Sequence, residues 1–68
     1  MPEYEILIFD KNANPAAFIE TQQSDDEDAI HSAARIANGR PFEVWRDIFC
    51  VHRVRPKPTD VPPRSPAN

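Results

Sequence analysis

The spacing of apolar side chains changes twice along this chain, from alternation to a helical period and back, and that order leaves few folds open. Tyr4-Glu5-Ile6-Leu7-Ile8-Phe9 is rich in β-branched and aromatic residues and is stopped by the turn formers Asp10-Lys11-Asn12-Ala13-Asn14-Pro15. It predicts a first strand with Tyr4, Ile6 and Ile8 on one face and Glu5, Leu7 and Phe9 on the other. A second strand is expected from Ala16 to Gln22, with Phe18 and Glu20 sharing one face and Ala17, Ile19 and Thr21 the other. The loop between them is short enough for a hairpin.

A helix is predicted over residues 25–38. Ser24 is placed to cap it, Glu27 stands three residues on where a capping box needs an acid, and Asp25, Asp26 and Asp28 suit the positive end of the helix dipole. Ile30, Ala33, Ala34 and Ala37 recur at helical spacing, widened by Ala29 and Ile36. Arg35 suits the negative end, and Gly39 can adopt the left-handed conformation that closes a helix. From Pro41 alternation returns: Phe42-Glu43-Val44-Trp45-Arg46 reads as a third strand and Phe49-Cys50-Val51-His52-Arg53-Val54 as a fourth. Asp47-Ile48 has the length of a two-residue turn, although Ile48 is a poor turn residue, and one bent strand across 42–54 is the competing arrangement.

The fold class expected is therefore α+β: a small antiparallel sheet in the order β-β-α-β-β, with one helix packed on one face. Residues 56–68 hold five of the eight prolines and only Val61 as a large apolar side chain. That composition cannot sustain a hydrogen-bond ladder, so a disordered proline-rich tail is expected after a single domain at 1–55.

With 68 residues the chain can build only a thin core, and its lone Cys50 cannot form an internal disulfide. Self-association is the remaining source of support. If Ile6, Ile8, Phe42 and Val44 turn toward the helix, Leu7, Phe9 and Trp45 are left on the outer face. Large apolar groups gathered there mark a candidate interface. The tail or the Ile48 turn folding back over them is the alternative.

No apolar run approaches the roughly 18 to 20 residues that a membrane span needs. Ile6-Leu7-Ile8-Phe9 follows Glu3 and Glu5 rather than a basic stretch, so no signal peptide and no membrane partner is expected. One free cysteine points to the reducing cytoplasm.

Chemistry-bearing residues are sparse. The acids 25–28 are accounted for by the helix start, and His31 falls on the helix flank. Cys50 and His52, two apart on a strand, would share a face, but no orienting group or further ligands accompany them. Gly39 is the only glycine, which excludes a phosphate-cradling loop. No catalytic residue, metal or cofactor is expected. Nucleic-acid binding is the alternative: Arg46, Arg53 and Arg55 could line a basic edge, with Trp45 or Phe49 to stack on a base. Residues 1–34 carry eight acids against Lys11 alone, while 35–68 carry seven bases against three acids. The overall pI near 5.2 argues against phosphate binding.

Tyr4, Asp25-Asp26-Glu27-Asp28-Ala29, Ala33-Ala34-Arg35-Ile36-Ala37, Gly39, Glu43-Val44-Trp45 and Val51-His52-Arg53-Val54 together resemble a group of very short bacterial proteins of unknown function. That resemblance implies the β-β-α-β-β layout and brings no activity or cofactor. Where the group places a glycine in the turn after its tryptophan, this chain has Asp47-Ile48. The functional expectation is a non-enzymatic interaction domain, a homodimer joined through its sheet by Leu7, Phe9 and Trp45.

Overall fold

The computed structural model describes residues 1–55; the predicted tail at 56–68 lies outside them. The elements follow the order β1 (Glu3–Phe9), β2 (Pro15–Gln22), α1 (Asp26–Ala37), β3 (Phe42–Arg46) and β4 (Phe49–Val54). All strand pairs are antiparallel, and the strands lie side by side as β2-β1-β3-β4. The most apolar strand, β1, sits inside the sheet, where both its edges are paired. α1 lies on one face, mainly above β3 and β1.

The β1–β2 loop is organised by one carboxylate. Asp10 Oδ1 accepts from the backbone N–H groups of Asn12 (2.8 Å) and Asn14 (2.9 Å), which substitutes for ladder bonds the turn cannot make. Ala13 takes a left-handed conformation there, at φ 67°. The β3–β4 connection settles the choice left open at residues 42–54. It is a hairpin, with Arg46 opposite Phe49, and Asp47 turns the chain at φ 55°. Asp tolerates this region better than most residues, so Ile48 need not enter it.

The helix start differs by one residue from expectation. Asp25, not Ser24, is the N-cap: its backbone is extended, and its Oδ1 accepts from the Asp28 N–H at 2.9 Å. Ser24 and Asp25 are both competent caps, and Asp25 leaves Asp28 rather than Glu27 at the third helical position. At the other end Asn38 adopts the left-handed conformation (φ 54°) and Gly39 follows at φ 90°. Arg40 then folds back: its Nε donates to the Ala37 carbonyl at 2.8 Å and its Nη2 to that of Ile36 at 3.3 Å.

The buried stripe of α1 is Ala29, Ala33 and Ala37, spaced four apart. Ala34 and Ile36 are exposed, so the apolar stripe is narrower than the predicted one. Opposite it, Tyr4, Ile6, Ile8 and Val44 are fully buried and Phe42 nearly so, with Ala17, Ile19, Ile30 and Val51 packed around the margin. Small alanines let the helix sit close above bulky strand residues. The core is only one layer deep.

Candidate functional site

The sheet's second face follows from the same alternation. With Tyr4, Ile6 and Ile8 turned to the helix, Leu7 and Phe9 point away; with Phe42 and Val44 inward, Glu43 and Trp45 point away. Leu7, Phe9 and Trp45 are half-buried on this outer face, uncovered by the helix. The ladder adds a fourth large side chain. Leu7 pairs directly with Phe18, which is 57% exposed. Alternation alone divides the faces of β2 without saying which one looks outward; Glu20, on the same face as Phe18, is the signal in the sequence. Ile48 does not cover the patch, since it is 80% exposed in its turn.

The centre of the face carries a polar clamp. Glu43 Oε1 accepts from the Trp45 indole Nε1–H at 2.9 Å, and Glu43 Oε2 lies 3.0 Å from Arg53 Nε. Both carboxylate oxygens are thus engaged, and the indole's one polar atom is satisfied within the chain. What Trp45 offers a partner is hydrocarbon. Beside the clamp is an open depression of about 230 Å³ lined by Phe9, Ala13, Glu43, Arg53, Val54 and Arg55.

The predicted basic residues do not converge. Arg46 lies on the helix side at the turn end of the hairpin, its Nη1 3.8 Å from Asp26 Oδ1. Arg53 and Arg55 lie at the opposite end of the hairpin, and Arg53 is already paired with Glu43. Nor do Cys50 and His52 share a face. A bulge shifts the register so that Cys50 opposes Trp45 on the outer side while His52 opposes Val44 on the inner side. The extra residue, Val51, breaks the alternation, and the His52 ring instead packs 5.8 Å from that of Phe42. Among the described residues no group of three or more His, Cys, Asp or Glu could hold a metal ion, and no helix is long and apolar enough to cross a membrane.

Among the described residues, Tyr4 stands apart in its ionisation. Tyr4, buried at the core margin, donates its hydroxyl to Asp26 Oδ1 at 2.6 Å. That bond, followed by burial and by the charge on Asp26, raises the phenol above its usual value, while Arg46 partly opposes the rise. The Tyr4–Asp26–Arg46 chain ties the helix start to the sheet and leaves the outer face untouched. Compared with known proteins, the chain matches no family model, no curated protein and no solved structure.

Proposed function

We propose that this is a non-enzymatic interaction domain of the cytoplasm that acts by self-association, two copies meeting through the outer face of the sheet. The observation that carries this reading is the row Phe18–Leu7 with Trp45 and Phe9 beside it, on a face that α1 does not cover. Large aromatics dominate interface energetics, and Trp45 reaches such a surface with its polar atom already satisfied. The exposed free thiol of Cys50 on the same face favours a reducing compartment. A relation to the short bacterial proteins of the same layout is compatible with this role and supplies no activity of its own.

The size of the face sets the expected strength. Four strands about 4.8 Å apart and about six residues long at about 3.3 Å each cover on the order of 400 Å² in plan. With side-chain relief two copies would bury on the order of 1,000 Å², at the low end for a specific complex, which fits a micromolar dimer. Sedimentation velocity across about 1 to 100 μM should therefore show a monomer converting to a dimer. Trp45→Ala or Leu7→Ser should weaken association by about tenfold or more, with a folded monomer retained by circular dichroism. A monomer throughout that range, or no response to either substitution, rejects the reading.

Nucleic-acid binding through Arg46, Arg53 and Arg55 is less well supported, because Arg46 and Arg53 face opposite sides of the sheet and each is paired with a carboxylate of its own chain.

A further inference from the structure

We propose that the two copies pack outer face to outer face with their sheets crossed near a right angle, so that Glu5 and Glu20 of each copy meet Arg53 and Arg55 of the other. The proposal rests on the reading of this face as the self-association surface and adds its geometry.

Two carboxylates stand side by side on the outer face. Glu5 stands directly opposite Glu20 in the β1–β2 ladder, and both side chains lie on the outer face. Like charges so placed repel. Among the described residues neither has a cationic partner within ion-pair distance; the two ion pairs are Arg46–Asp26 and Arg53–Glu43. Glu3, two residues before Glu5, extends the acidic corner. Diagonally across the same face lies a basic corner. Arg53 opposes Glu43 on β4 and the exposed Arg55 follows two residues later. Arg53 meets Glu43 through Nε, which leaves its terminal nitrogens to reach a second carboxylate. Leu7 and Trp45 occupy the ground between the corners.

A face that carries complementary patches on itself suits a two-fold dimer, because each patch is used twice. The position of the patches selects the axis. An axis parallel to the strands would set Glu5 and Glu20 over Trp45 and Cys50, at the same end of the partner's sheet. An axis perpendicular to the strands, still in the interface plane, would set Glu20 over the Phe18–Pro15 end of β2 and Glu5 over Leu7 and Phe9 of β1. Only an axis along the other diagonal exchanges the acidic and basic corners. It rotates the strand direction by about 90°, one of the two ways in which sheets stack face to face.

Charge reversal tests the geometry with surface residues whose exchange spares the core. Glu20→Arg and Arg55→Glu should each weaken the homodimer by about tenfold or more, since every copy then presents like charges at both corner contacts. Mixed in equal amounts, the two variants should form a heterodimer of near wild-type affinity, because a diagonal two-fold axis pairs the introduced Arg with the introduced Glu and the native Arg55 with the native Glu20. Recovery on mixing, lost at high salt, supports the crossed arrangement. If the reversals leave the dimer unchanged, or the mixture stays monomeric, the crossed geometry is overturned; the outer-face reading survives if Trp45→Ala still dissociates the wild-type dimer. A wild-type chain that never dimerises overturns both.

Discussion

Tyr4 does two jobs that pull in different directions, filling the core with its ring and reaching Asp26 with its hydroxyl. Because the folded phenol holds its proton more tightly than the unfolded one, its contribution to stability is whole below pH 10.0 and is lost as the pH rises through 10.0 toward the higher folded value. Thermal melts should show this decline on the alkaline side. Tyr4→Phe should lower the melting temperature at neutral pH and flatten the alkaline decline; an unchanged decline would assign it to another group. At this scale the sequence was only partly legible. Tyr4, Ile6 and Ile8 declared their face through simple alternation. The tie of Arg46 to Asp26 and of Arg53 to Glu43 did not, because both join residues brought together by the ladder or by helix docking rather than by neighbouring positions.

Among the elements, α1 was the most legible, since Ala29, Ala33 and Ala37 repeat at the spacing of one helical face and acids crowd its start. Its exact beginning was not, as adjacent residues could both cap it. Asp25→Ala should cost about 1 kcal/mol in urea unfolding, whereas Ser24→Ala should stay within about 0.5 kcal/mol; the reverse order would restore Ser24 as the cap. The alanine stripe also predicts that Ala33→Leu destabilises by about 1 to 3 kcal/mol, as the larger side chain has no room between helix and sheet. The β4 bulge was invisible in the sequence. Cys50-Val51-His52 reads as regular alternation, and a single extra residue opposite Val44 and Trp45 is decided by pairing across the hairpin. That bulge is what separates the thiol from the imidazole. The turn at Asp47 closes without a glycine because one left-handed residue is sufficient there.

At the scale of the whole fold the governing fact is that the described residues supply one helix for a sheet with two faces. The helix side is sealed by alanines against Tyr4, Ile6, Ile8, Phe42 and Val44. The other side keeps Leu7, Phe9, Phe18 and Trp45 around the Glu43 clamp, with acids at one corner and bases at the diagonal one. Most of that candidate site was legible, because period-two alternation names the outward residues once the inward ones are known. Phe18 was missed because its face depends on hairpin register, which the sequence states only through the loop. The most direct measurement is a dilution series of two-dimensional amide spectra of the protein. Self-association through the outer face predicts concentration-dependent shifts at Leu7, Phe18, Arg53 and the Trp45 indole N–H, with Ala29, Ala33 and Ala37 unmoved. Shifts confined to the helix, or none at all up to about 100 μM, would contradict it.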